Sequence, residues 1–262
     1  MAQYVEIMGH TVLLYDFWNA VSTAVMFFYL ISQTKKFSNI SPFAARQQSD
    51  TRKILVGIGE VLAIIAVAFV LFRILNPAFG KWFTGGNANY YGSLTAWFLA
   101  ITILAILFKT SPFHVHDLFA PALPIQLFLA KLSCFFHGCC YGFEVPGSWY
   151  FNQRTGRSEF PVQLTESLIA LALFVFLRRY QKRNRIPGSI FPVYLILFAV
   201  SRLMTEFLRA DLPNVFGPLN AYQIMSVVYA FFGAVLLGVA WKYNDAKKQQ
   251  QKAHTDGSQA EA

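Results

Sequence analysis

ILVGIGEVLAIIAVAFVLFRIL, residues 54–75, carries one acid, Glu60, and one base, Arg73, in 22 positions. An apolar run of about 20 residues is the length a helix needs to cross the hydrocarbon of a bilayer. In lipid, a lone crossing segment satisfies its backbone groups only as a helix. Six further apolar stretches, at 11–31, 90–108, 118–136, 162–177, 189–208 and 219–241, have the same character. The expected fold is therefore all-α: a polytopic membrane protein of about seven transmembrane helices. The fifth stretch is short and is expected to begin inside a protein-lined cavity.

Composition agrees. Of 262 residues, 55% are hydrophobic and only 13% charged, about half the charge of a soluble domain. That excludes an ordinary soluble enzyme and a disordered chain. The formal charge of +9 would suggest a nucleic-acid partner only if the bases were spread over a soluble surface. They are not. Fifteen of the 22 lysines and arginines fall in the loops after spans one, three and five and in the tail, all on one side of a seven-span chain. The positive-inside rule then sets the N-terminus outside and the C-terminus in the cytoplasm, with anionic membrane lipids as partners and no nucleic acid. No Lys or Arg precedes the first span and no small-residue cleavage pattern follows it, so it does not read as a cleaved signal peptide. The division is one integral membrane domain over 1–243, an outward head or lid loop at about 139–161, and a polar, disordered cytoplasmic tail over 244–262.

Ionisable side chains inside a membrane each require an account. In SRLMTEFLR, residues 201–209, Arg202, Glu206 and Arg209 share one helix face. Two guanidinium forks held by one carboxylate leave a positive site suited to phosphate oxygens; a buried ion pair beside an interfacial Arg is the plain alternative. FPVQLTES, residues 160–167, sets Gln163 and Glu166 on one face after Pro161, either to pin helices together or to hold the arginines or a substrate. KLSCFFHGCCYG, residues 131–142, contains Lys131, three cysteines and His137. A metal cluster is one reading, but adjacent cysteines rarely turn both sulfurs to one ion. A tight helix end through Gly138 and Gly142 is the preferred reading, with no metal. Glu60 is expected to make a structural hydrogen bond. Tyr15, Asp16 and Asn19 form a polar patch in the first span, serving either interhelical bonding or substrate. No nucleotide motif is present, and no cofactor is expected.

Four segments, in order, carry a resemblance. DLFAPALPIQLFLAKLSCFFHGCCYG (117–142), FPVQLTES, SRLMTEFLR and LNAYQIMS (219–226) together resemble the prolipoprotein diacylglyceryl transferase family, over roughly the last two-thirds of the chain. The resemblance implies a bacterial cytoplasmic (inner) membrane enzyme. It would move the diacylglyceryl group of phosphatidylglycerol to the lipobox cysteine of a preprolipoprotein signal peptide, forming a thioether and releasing glycerol phosphate. It implies that Arg202, Glu206 and Arg209 bind and activate the headgroup, that Gly138 and Gly142 are the signature glycines, and that Asp117, Pro161, Gln163, Glu166 and Gln223 shape the cavity. Tyr15 aligns with the family's first-span tyrosine. Lys131 stands where the signature opens with Arg, Ser133 where it has Gly, Cys134 and His137 where it has Asn, and Cys139 where it has Glu. Span three reads NYYGSLTAW (89–97) where better-known members carry a His. His137 is therefore the expected base, unless the positive field alone activates the thiol. The alternatives are a divergent homologue with another acceptor and a non-catalytic phospholipid-binding protein.

Overall fold

The computed structural model describes residues 4–7, 10–83, 90–183, 186–211 and 214–260. The described chain opens with an antiparallel hairpin, β1 (Tyr4–Ile7) and β2 (His10–Leu13). It continues into α1 (Leu14–Ser32), the short α2 (Thr34–Ile40) and α3 (Pro42–Ala45), and the long α4 (Asp50–Phe83). Then follow α5 (Tyr90–Leu107), α6 (Pro112–Phe119) and α7 (Ala122–His137). A small hairpin, β3 (Phe151–Asn152) and β4 (Arg157–Ser158), precedes α8 (Val162–Arg183) and α9 (Ile190–Glu206). A last hairpin, β5 (Asn214–Phe216) and β6 (Leu219–Asn220), leads into α10 (Ala221–Ala260).

The protein is thus an all-α membrane protein, with three minor hairpins among the described residues. Among the described residues, four helical stretches are long and apolar enough to cross a membrane: Asp50–Leu75, Tyr90–Leu107, Pro112–His137 and Ala221–Gln250. Their outer surface is apolar. Phe28, Phe69, Ile106 and Phe231 are each more than 60% exposed, an outward face that suits lipid and not water. Inside, α9 packs between α10 and α8, α8 leans on α7, α7 on α1, and α4 pairs with α5.

Boundaries differ from the hydropathy reading where local chemistry intervenes. The first helix begins at Leu14, because residues 10–13 pair in the hairpin. The fourth stretch starts earlier, at Pro112, and its helical bonding is interrupted at Ala120–Pro121, where two prolines (Pro121 and Pro124) remove backbone donors. The fifth is not short. It runs through Arg183 because Arg178 donates to the Tyr29 hydroxyl (3.0 Å) and to Gln181 (2.9 Å), with its guanidinium over the Tyr29 ring. Its first turn is nonetheless buried, at Val162, Gln163 and Glu166. The polar segment after Asn244, read as a disordered tail, continues α10 to Ala260. Lys, Gln and Ala propagate a helix that is already nucleated at little cost. Glu60 accepts a hydrogen bond from Ser41 (2.7 Å).

The core beside the site is aromatic with polar tips. Tyr90 and Tyr194 share a hydroxyl hydrogen bond (2.7 Å), Tyr91 bonds Ser226 (2.7 Å), and Tyr229 donates to the Tyr91 carbonyl (2.9 Å). Each phenol buries its ring and still finds a partner.

Candidate active site

Near the end of α9, six ionisable groups form one chain of alternating sign. Lys131 of α7 meets Glu166 of α8 at 2.5 Å, and Glu166 also pairs with Arg202. Arg202 reaches Glu206 one turn on (2.9 Å), and Glu206 faces Arg209 (3.5 Å). Arg209 then holds Asp211 through both forks, at 2.8 and 2.6 Å. Thr205 and Asn220 add hydrogen bonds of 3.2 Å to Glu166 and Glu206. The ring of Tyr222 lies 5.1 Å from the Arg202 guanidinium and 5.6 Å from that of Arg209, so one aromatic ring backs both cations.

This corrects the charge expected of the arginine helix. Lys131, Arg202 and Arg209 face three carboxylates, so the cluster is balanced and not net positive. Burial explains it, since an uncompensated charge away from water costs several kcal/mol. The outermost partner is Asp211, with its side chain 15% exposed against 4% for Arg209. An incoming phosphate would displace Asp211 and take its place on Arg209. Asp211→Asn is accordingly expected to lower the KM for an anionic lipid severalfold with a smaller effect on kcat, read from initial rates in mixed micelles of varied lipid content.

The glycines set the backbone that carries Arg209. Gly138 ends α7 in the left-handed region (φ 72°), and a side chain there would strike the Asn152 amide. Asn152 in turn bonds the Gly138 carbonyl (3.0 Å) and Glu159 (2.7 Å). Gly142 bridges Arg209, while Phe143 and Ala210 bond across the same pair of segments (3.1 and 3.2 Å). A Cβ on Gly142 would press on the Phe160 and Leu208 carbonyls. Gln163 ties α8 to the loop by donating to the Cys139 carbonyl (2.7 Å).

These elements enclose a cavity of about 310 Å³ whose wall includes Asn19, Tyr90, Tyr91, Tyr222 and the cations Lys131, Arg202 and Arg209. A second, mainly apolar pocket of about 240 Å³ lies between α1, α4, α5 and α7 and shares Phe72, Tyr90 and Ser93 with it. Cys134, Cys139 and Cys140 also line the first cavity, and their three sulfurs lie within 4.8 Å of one another. The expectation that neighbouring cysteines would diverge is corrected here. Cys140 takes a left-handed backbone (φ 57°), and its sulfur lies 4.0 Å from that of Cys134.

Other expected site residues are placed elsewhere. His137 is not on the cavity wall. It lies in a separate pocket of the outward loop, 2.6 Å from Arg154, because Gly138 turns the chain away after it. His137→Gln is therefore expected to leave catalytic turnover within a few-fold of the unaltered protein, measured as product per unit time at saturating lipid. Asp117 caps the far end of α9, accepting from Gly188, Ile190 and Phe191 (2.6, 2.8 and 3.2 Å). That is about 18 Å along the helix from Arg202. Gln223 completes a reciprocal cap with Asn220, two bonds of 3.0 Å that start α10. The side chain of Tyr15 lies outside the described residues. The sequence reading missed Asp211, Tyr222 and the Tyr90–Tyr91 pair. Asp211, two residues after Arg209, was the one with a visible signal.

A family model described as prolipoprotein diacylglyceryl transferase matches residues 3–239. The chain is 27% identical over 174 residues to phosphatidylglycerol–prolipoprotein diacylglyceryl transferase 2 of Clostridium perfringens (strain 13 / Type A), covering 64% of this chain and 68% of that protein. To the phosphatidylglycerol–prolipoprotein diacylglyceryl transferase of Clostridium tetani (strain Massachusetts / E88) it is 24% identical over 161 residues, 59% of this chain and 65% of the relative. To the protein of that name in Shewanella sp. (strain MR-4) it is 27% identical over 182 residues, 65% and 68%. The matched region spans about two-thirds of each relative.

Proposed function

The chain belongs to the prolipoprotein diacylglyceryl transferase family, and from that premise we propose that it transfers the diacylglyceryl group of phosphatidylglycerol to the lipobox cysteine of preprolipoproteins. The observation that carries this reading is the ion-pair cluster that presents Lys131, Arg202 and Arg209 to a cavity adjoining an apolar pocket between helices. A phospholipid with an anionic headgroup and two acyl chains needs both features side by side.

In the reaction the acceptor sulfur attacks the glycerol carbon that bears the phosphate. The carbon–sulfur bond forms as the carbon–oxygen bond breaks, glycerol phosphate leaves with the electron pair, and the thiol proton is lost. Arg202 and Arg209 would bind the phosphate and stabilise the charge that grows on its leaving oxygen. Glu166 and Glu206 hold the guanidinium groups in place, and Lys131 supplies the charge that the family's signature draws from Arg. The acyl chains would run into the pocket between α1, α4, α5 and α7.

Seven crossings, by α1, α4, α5, α6 with α7, α8, α9 and α10, accommodate this reading. The N-terminus lies outside and the C-terminus in the cytoplasm, in line with the basic loops at Lys35–Lys53 and Arg178–Arg185. The cavity then opens toward the outer half of the cytoplasmic membrane, where a signal-peptide helix docks beside it.

The test uses purified protein, phosphatidylglycerol and a peptide containing a lipobox, followed by mass spectrometry. The expected result is a diacylglyceryl mass gain on the peptide cysteine that is absent for a serine-substituted peptide. No gain from folded protein that binds the lipid would overturn the assignment of acceptor or chemistry.

A further inference from the structure

The proposed reaction needs a thiolate, and a free thiol near pKa 8.5 is largely protonated at neutral pH. Among the described residues, the cavity wall carries no histidine. Its one carboxylate, Glu166, is engaged by both Lys131 and Arg202. What the wall does carry is sulfur. We infer that Cys134, Cys139 and Cys140 bind one zinc ion, and that its open fourth position takes the acceptor cysteine as a zinc thiolate, ready to attack the lipid. This rests on the transferase reading above.

Geometry supports the site. The Cys134 and Cys140 sulfurs are 4.0 Å apart, and two thiolates on a tetrahedral zinc, each about 2.3 Å from the metal, lie roughly 3.8 Å apart. All three sulfurs fall within 4.8 Å, so closing on an ion needs side-chain shifts of less than about 1 Å. Cys140 holds a left-handed backbone conformation (φ 57°) that costs a non-glycine residue about 1–3 kcal/mol, a strain characteristic of functional sites. Gln163 pins the Cys139 carbonyl at 2.7 Å, the kind of outer support that keeps a ligand loop in register.

The chemistry selects the ion. Three thiolates favour a thiophilic metal over magnesium or calcium, and three protein ligands with one open position is the arrangement of catalytic zinc. Three thiolates on a divalent ion carry one net negative charge, on a wall that also holds Lys131, Arg202 and Arg209. The acceptor thiol gives its proton to solvent as it coordinates. Its sulfur then forms the bond to the glycerol carbon, glycerol phosphate departs with the electrons of the broken carbon–oxygen bond, and the neutral thioether, a weak ligand, leaves the metal. Zinc undergoes no redox change.

The test uses the full chain purified in detergent under reducing conditions. Elemental analysis is expected to find about one zinc per chain, lost in Cys134→Ser/Cys140→Ser. The cobalt-substituted protein should show sulfur-to-metal absorption that changes with a lipobox cysteine peptide and not with its serine counterpart. Chelating the metal from the unaltered protein is expected to lower transfer by roughly 100-fold, restored by added zinc. The inference is overturned by protein with no more metal than the variant, by Cys134 and Cys140 recovered as a disulfide with no metal bound, or by full transfer after verified removal. Full transfer with all three cysteines changed to serine would likewise overturn it while leaving the transferase reading intact. Bound metal with the peptide-dependent spectrum but no transfer from phosphatidylglycerol would uphold the site and overturn the transferase reading.

Discussion

Arg202→Ala is expected to reduce diacylglyceryl transfer by roughly 10²–10³-fold, the scale on which one aimed donor to a developing oxyanion acts. Arg202 pairs with Glu166 and Glu206 at once and stacks on Tyr222, so no neighbouring cation can take its place. Its removal also takes one cation from each of two buried carboxylates, leaving Glu166 to Lys131 and Glu206 to Arg209, and so lowers stability. Arg202→Lys separates the two effects. The charge stays near both carboxylates, so most of the stability should return, while the planar fork is lost and transfer stays depressed. The measurement is the initial rate by mass spectrometry alongside the thermal midpoint in detergent. Lysine protein as active as the unaltered enzyme would show that charge alone suffices.

Glu166→Gln is expected to destabilise the protein by about 3–5 kcal/mol, because it leaves Lys131 and Arg202 facing each other with their side chains only 13% and 8% exposed. Changing Lys131 to Met in the same chain removes one of the two opposed cations, so Lys131→Met/Glu166→Gln should recover most of the loss. The pair is in direct contact, and its effects should therefore be strongly non-additive. Thermal or denaturant unfolding of both single variants and the double variant gives the coupling. Additive losses would mean that the ion pair does not hold α7 to α8. Transfer by the double variant should stay low even where stability returns, because the phosphate loses the Lys131 charge.

How much of this was legible in the amino-acid order differs between fold and site. The membrane character, the helical class and the approximate positions of the crossing segments follow from runs such as residues 54–75, since hydrocarbon length and backbone satisfaction are properties of one segment at a time. Arg202 and Glu206 were legible for the same reason: an i, i+4 pair shares a face in any helix. Gly138 and Gly142 were legible as a tight turn. The interruption at Pro121 and the extension of α8 past Leu177 were not, because they depend on where backbone donors are missing and on Tyr29 waiting across the bundle.

The site itself was read only in part. Lys131 and Glu166 were each visible as anomalous charges, yet their pairing, and the neutrality that Asp211 completes, required three helices and a loop to meet. His137 stands close in sequence to the other candidates, which makes it the expected base; a left-handed turn at the next residue sends it to a different pocket. Three sulfurs that the order of residues alone does not bring together meet where Cys140 takes the same kind of turn. Sequence by itself determined what each segment must do in a membrane, because solvation and helix periodicity act locally. Which charges neutralise one another, and which side chains share a cavity, was decided only by the tertiary structure, because burial and Coulomb energy depend on distances between segments far apart along the chain.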